Sequence, residues 1–435
     1  MKIGKHLSAD GLLQQVQQGF GKIKEHRPMN VEIPLADALM SGFAMFSLKD
    51  SSLLAFDQRR AKPENLRKIF GIEQIPCDTQ MRMILDGVNP ENIRPLFKGV
   101  VKGLQRGKVL ESMVFMGRYY LASLDGTGYF KSQRVHCASC LQRTNKKSGE
   151  VTYSHQMLGG AIVHPDQKAV IPLAPEPIIR QDGESKNDCE RNAGKRFLAK
   201  LRQDYPRLPF IIVEDALSAN APHIAELKRH NLRFILGVKP GDHKYLFAYV
   251  ASAHLAGQTT EFEVHKEDIT HRFRFLNDAP LNESNPGVRV NFLEYWEIKG
   301  GKSQHFTWIT DFTISRDNAF DLMRGGRARW KIENETFNTL KNQGYHFEHN
   351  FGHGQNNLSV VFAQLMMLAF AVDQAQQLAC QFFQAAWAKV GSKRLLWERL
   401  RSLFYELPFD SMTAIWRAIA YGFHIEGPIV IHDTS

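Results

Sequence analysis

Apolar residues return at three- and four-residue intervals from the start of the chain to about residue 115, the spacing of one face of a helix. Prolines cut this stretch into short helices, with turns at Arg27-Pro28, Ile33-Pro34, Lys62-Pro63 and Asn89-Pro90. From residue 117 the period changes. Apolar runs of strand length follow at 119–125, at 151–163 with an irregularity at Gly159-Gly160, and at 169–173. A polar helix over 187–205 leads to a strand over 210–215, and a helix over 222–230 leads to another strand over 234–238. Residues 255–315 alternate as an antiparallel sheet does, in runs at 261–264, 271–275, 288–296 and 306–309 with a turn at 282–287. Helical spacing resumes over 318–342 and again past 355.

Three strands, a helix, a strand, a helix and a strand, in that order, make an RNase H-like core: α/β, a mixed sheet flanked by helices. In that arrangement the first and fourth strands are neighbours. Asp125 and Asp215, which close those strands, would then lie near each other at the strand ends. The alternating block interrupts the core where its next helix belongs and reads as a β-rich insertion. The expected divisions are a helical N-terminal DNA-binding region (1–115), the first part of the core (116–254), the insertion (255–315), the second part of the core with a Glu-bearing helix (316–354), and a helical C-terminal region (355–435).

Composition narrows the class. The 435 residues are 43% hydrophobic and 23% charged, enough for two or three domains and against disorder on a large scale. Net charge is +10 and the pI near 9.3, a balance that favours a polyanionic partner. Residues 1–120 carry 18 Lys and Arg against 12 Asp and Glu, so +6 of the excess lies there. Within it, Arg94, Lys98, Lys102 and Arg106 recur every four residues opposite Phe97, Val100, Val101 and Leu104, with no acid between Glu91 and Glu111. This is an amphipathic helix with an un-neutralised basic stripe, a pattern that a merely solvated face also produces. Glycines at 99, 103 and 107 weaken it by about 1 kcal/mol each relative to alanine. Five cysteines do not make a disulfide framework, and no apolar segment follows the basic N-terminus. The apolar runs at 38–48 and 358–372 fall short of the ~18 residues of a spanning helix. They read as buried helices of a soluble cytoplasmic protein without a membrane partner.

The chemistry rests on three acids. Asp125 and Asp215 end strands, and Glu333 sits in the helical string Arg329-Trp330-Lys331-Ile332-Glu333. At 100° per residue Trp330, Glu333, Phe337, Leu340 and Lys341 share one arc, so the Glu333 carboxylate is expected on the sheet-facing side. A carboxylate there needs a cation or a metal, and Arg329, one turn earlier, is the available cation. Three converging carboxylates without His or Cys form a hard oxygen site for Mg²⁺ or Mn²⁺, two ions of which serve phosphodiester chemistry.

At these residues the chain resembles DDE transposases of bacterial insertion sequences, in the branch with a β-rich insertion before the catalytic Glu. The resemblance spans about residues 115–355 and rests on Leu124-Asp125-Gly126-Thr127, the apolar strand ending in Asp215, and Arg329-Trp330-Lys331-Ile332-Glu333. That branch carries a Tyr-Arg-Glu-Lys signature. Arg329 and Glu333 match it, whereas Gly326 stands at the Tyr position and Leu340 at the Lys position, with Lys341 one step later. The resemblance implies a transposase that cuts and joins DNA, with an RNase H-like nuclease without strand transfer or an inactive DNA-binding descendant as alternatives. Asp125, Asp215 and Glu333 are then catalytic and hold two Mg²⁺ or Mn²⁺ ions, with Glu335 the runner-up third acid. It further implies terminal inverted repeats and target DNA as partners, contact with DNA through Arg329, Lys341 and Lys239, and at least a homodimer on DNA. The charge pattern of Arg94, Lys98, Lys102 and Arg106 adds a further expected DNA contact.

Two other signals weigh less. Cys137-Ala138-Ser139-Cys140 has zinc-ligand spacing, but His136, His155, His164 and Cys189 supply no second close pair, so two reduced cysteines in a loop are expected. His346, His349 and His353 match no metalloprotease motif and are expected at the end of the Glu333 helix, near DNA or the rim of the active site. The acids Asp182, Asp188, Glu190 and Glu214 read as solvated surface or local ion pairs.

Overall fold

The structure, a computed structural model, describes residues 4–28, 30–180 and 189–424. The segment before the first strand forms α1 (Ala9–Phe20), α2 (Leu35–Ser47), α3 (Leu53–Arg59), α4 (Glu64–Phe70), α5 (Asp78–Asp86) and α6 (Arg94–Arg106). Local chemistry sets their ends. Ser8 caps α1 by accepting the Gly11 N–H, Ser52 caps α3 by accepting that of Ala55, and Gly71 closes α4 at φ +64°, where a side chain is strained.

The sheet follows as β1 (Tyr120–Ser132), β2 (Leu141–Thr144), β3 (Val151–Val163), β4 (Ile171–Pro172) and β5 (Glu176–Ile178). Then come α7 (Glu190–Asp204), β6 (Phe210–Glu214), α8 (Ala221–Arg229), β7 (Arg233–Gly237) and α9 (Lys244–Leu255). The expected start of α7 at Asn187, together with Asp182 and Asp188, lies outside the described residues. Strand β1 runs antiparallel to β3 and parallel to β6, with Ser123 opposite Val213, and β7 lies parallel to β6. This is the RNase H-like order. The irregularity expected at Gly159-Gly160 lies instead in β1, between Gly128 and Phe130. Those two glycines serve close approach: a Cβ on Gly159 would stand 2.7 Å from the Phe337 ring, and one on Gly160 2.3 Å from that of Phe197.

Two features depart from expectation. Helix α9 follows β7 directly, although no helix was foreseen there; its mixed apolar and aromatic sequence, Lys244-Tyr245-Leu246-Phe247-Ala248-Tyr249, masks the period. The alternating block, β8 (Thr260–Lys266), β9 (Ile269–Pro280), β10 (Arg289–Lys299) and β11 (Lys302–Thr310), extends the same sheet. Strand β11 pairs antiparallel with β7, Ile309 opposite Leu236, which makes one eleven-stranded mixed sheet among the described residues.

The chain closes with α10 (Ala319–Arg327), a π-helical turn Ile332–Phe337, α11 (Asn338–Asn342), α12 (Leu358–Ala379), α13 (Gln381–Val390), α14 (Lys393–Glu406) and α15 (Met412–Tyr421). Helix α12 is long and apolar enough to cross a membrane, yet its apolar window is wholly covered by protein. It packs against α2, α5 and α6, while α1 meets α15. The first and last helices thus share one core.

Candidate active site

Asp215 directly follows β6, whereas Asp125 lies inside β1 opposite Gly159 of β3 rather than at the strand end expected for it, because pairing with β3 carries β1 on to Ser132. The parallel pairing of β1 with β6 ends at Ser123 opposite Val213, two residues before each aspartate. Asp125 accepts the Gly126 N–H at 2.9 Å, and Asp215 accepts the Leu217 N–H at 3.0 Å, capping a short 3₁₀ turn. Glu333 arrives from the other direction. The Ser123 hydroxyl donates to the Arg329 carbonyl at 2.9 Å and docks the end of α10 onto β1. From there the Arg329 guanidinium reaches Glu333 at 2.9 Å and Asp125 at 3.5 Å.

Glu333 lies within the π turn, where i→i+5 bonding widens the helix. Spacing at 100° per residue fails there. Trp330, expected against the sheet, is 47% exposed and lies under the Arg329 guanidinium at 4.6 Å. The Glu333 side chain is 38% exposed, whereas Phe337 and Leu340 are buried as expected.

A fourth acid joins the group. Glu190, the first residue of α7, reaches so near Gly126 that a Cβ there would stand 2.5 Å from its carboxylate. Burial raises the Glu190 carboxyl above its usual range, and the charges of Asp215 and Glu214 add to this against the Gly126 N–H. Burial, with the hydrogen bond and charge of Glu333, pushes Asp125 up to about 7 despite Arg329. Asp125 and Glu333 therefore carry more negative charge than the Arg329 guanidinium between them balances. The sequence reads Glu190 as solvated surface or a local ion pair, and its place at the start of the helix before β6 is the one signal that points otherwise.

Oxygen donors crowded enough to hold a proton on one aspartate fit a hard divalent cation. Asp125 with Glu333, and Asp215 with Glu190 beside it, are the residues that would hold such ions.

The other expected positions scatter. Glu335 faces Lys331 and Lys393. Lys341 pairs with Glu348 at 2.9 Å, and Leu340 is fully buried. Gly326 stands where a Cβ would meet the Trp308 indole at 2.5 Å, so this indole fills the space beside the helix. Lys239 is exposed and lines a groove of about 630 Å³ with Asp215, Arg191, Lys244 and the insertion turn 282–284. The stripe on α6 is partly neutralised, contrary to expectation: Arg94 and Lys98 meet Asp204 of α7 at 2.8 and 3.7 Å. Distance along the chain hid that acid. Lys102 and Arg106 remain exposed and, with Lys22 and Lys24, line a groove of about 860 Å³.

No family model and no curated protein matches the chain. Among solved structures, it is similar to a cryo-EM structure of piggyBac transposase in a synaptic complex with hairpin DNA. Identity is 11%, the match covers 99% of this chain and 86% of that one, and the TM-score is 0.40. The likeness is too distant to bear on the site.

Proposed function

We propose that the chain is a DNA transposase of the DDE type, cutting DNA at the ends of its element and joining the freed 3′-hydroxyl to target DNA. The observation that carries this reading is the approach of Glu333 and Asp125 about one guanidinium, with Asp215 following the neighbouring parallel strand. Bound Mg²⁺ or Mn²⁺ would activate a water for in-line attack and stabilise the departing 3′-oxygen. The residues of the chain prepare that chemistry. Arg329 holds Glu333 and Asp125 toward each other before DNA arrives, and its planar fork suits a phosphate. The Leu217 N–H fixes the Asp215 carboxylate. Arg191, Lys239 and Lys244 line the approach to Asp215, where a DNA strand would run. Lys102 and Arg106 supply a second basic groove. Pairing two element ends would take at least two copies of the chain, acting on DNA in the cytoplasm.

The test uses supercoiled DNA carrying the element ends, and separately a pre-cut end with a free 3′-hydroxyl. Asp125→Asn, Asp215→Asn and Glu333→Gln should each abolish cleavage and joining while DNA binding persists. Cleavage without joining of the pre-cut end would make the protein a nuclease. Full activity of Glu333→Gln would remove Glu333 from the site.

A further inference from the structure

Four side chains outside the acid site converge from three distant parts of the chain. Cys137 and Cys140 lie in the loop between β1 and β2, His155 is on β3, and His353 lies between α11 and α12. All four are buried, with Cys140 and His155 at 0% exposure. Their donor atoms lie within 4.8 Å of one another.

Four of the six donor-to-donor distances match a tetrahedral zinc site. With Zn–S near 2.3 Å and Zn–N near 2.0–2.1 Å, the edges should be about 3.8 Å for S to S and about 3.5 Å for S to N. The Cys137 and Cys140 sulfurs stand 3.9 Å apart. The His155 Nε2 lies 3.4 Å from each, and the His353 Nε2 lies 3.2 Å from the Cys140 sulfur. Both Nδ1 atoms are buried without a hydrogen-bond partner, so each ring directs its one engaged nitrogen inward to the sulfurs. Tyr129 stacks on His155 at 5.8 Å and Phe130 lies 4.3 Å from the His353 ring, an apolar wall that excludes water. Thiol-to-imidazole hydrogen bonds alone satisfy such a group poorly, because a thiol is a weak donor.

We infer that Cys137, Cys140, His155 and His353 bind one zinc ion as a closed structural site. Two thiolates and two imidazoles suit zinc, and four protein ligands leave no position open for a substrate. Both cysteines are free, as expected, and His353, which stands 213 positions after Cys140, supplies the fourth donor that the sequence search lacks. The ion clips the segment after the Glu333 helix to β3, whose Gly159 pairs with Asp125.

The test uses the full chain, purified without chelators or a metal-binding tag from zinc-replete cells. Elemental analysis should find one zinc per chain, released when a mercurial titrates the thiols. Co²⁺ added to stripped protein should give the intense visible bands of tetrahedral sulfur-and-nitrogen coordination. Stripping should lower the melting temperature, and Zn²⁺ but not Mg²⁺ should restore it. Cys140→Ser and His353→Gln should lose the ion, with circular dichroism reporting whether they fold. Folded wild-type protein with only a trace of zinc and no Co²⁺ bands would overturn the site, as would undiminished zinc in Cys140→Ser. Because binding and melting are read without DNA, the result is independent of any transposase activity.

Discussion

Arg329 is the residue on which the acid site turns, since its one guanidinium faces both Asp125 and Glu333. Lysine would keep the charge and lose the fork. Arg329→Lys should cut DNA cleavage by about tenfold or more, equivalent to about 1.4 kcal/mol of barrier, with melting nearly unchanged. Full cleavage by that variant would leave Arg329 a structural pair. Asp125 gives the pH dependence. Its folded pKa of about 7 stands above the ordinary 3.8, so between those values the folded state holds an extra proton. Its contribution to stability is therefore present at low pH and lost as pH rises through 7. Wild type should lose stability relative to Asp125→Asn across that window in chelator, and the gap should narrow in Mg²⁺, which competes with the proton. Equal pH profiles in chelator would show an uncrowded carboxyl.

The start of α12 rests on a single acid. Asp86, at the end of α5, accepts the N–H groups of Gln355, Asn356, Asn357 and Leu358, each at 3.0 Å. Burial raises its carboxyl, but these donors outweigh burial and hold it below the usual range. Asp86→Ala should cost about 2 kcal/mol in urea unfolding. The loss should be largest above the ordinary carboxylate pKa and shrink as pH falls through the lowered one, because protonation already removes the benefit. The elements themselves were largely legible in the chain: the order of the core strands, Asp215 at the end of β6 and the insertion strands follow from local period. Asp125, by contrast, lies inside β1, which runs on to Ser132 because β3 continues to pair with it. What escaped was local pattern overridden by packing. The π turn changes the helical period at Glu333, and Trp308 dictates Gly326 from the neighbouring strand. Asp204 and His353 come to Arg94 and Cys140 across folds of the chain that no spacing records.

Across the whole molecule, the first and last helices are bound by a buried polar knot. Lys49 is fully buried at φ +56°, 2.5 Å from Asp373 of α12, with its ammonium 4.0 Å from the centre of the Trp397 ring. Tyr345 donates to the same Asp373 at 2.7 Å, and Tyr405 to the adjoining Asp50 at 2.8 Å. Lys49→Met leaves Asp373 without its cation and should cost about 3–5 kcal/mol by urea unfolding. Lys49→Met with Asp373→Leu should regain much of it; no recovery would assign the loss to packing. The knot also has a history in time. Lys49 leaves the ribosome 324 residues before Asp373, which at 5–20 residues per second is roughly 16–65 s. Through that interval the faces of α2 and α6 that α12 covers in the finished fold lack it, although α1 and α5 are already made. Slow translation of the second half should therefore raise aggregation more than slow translation of the first.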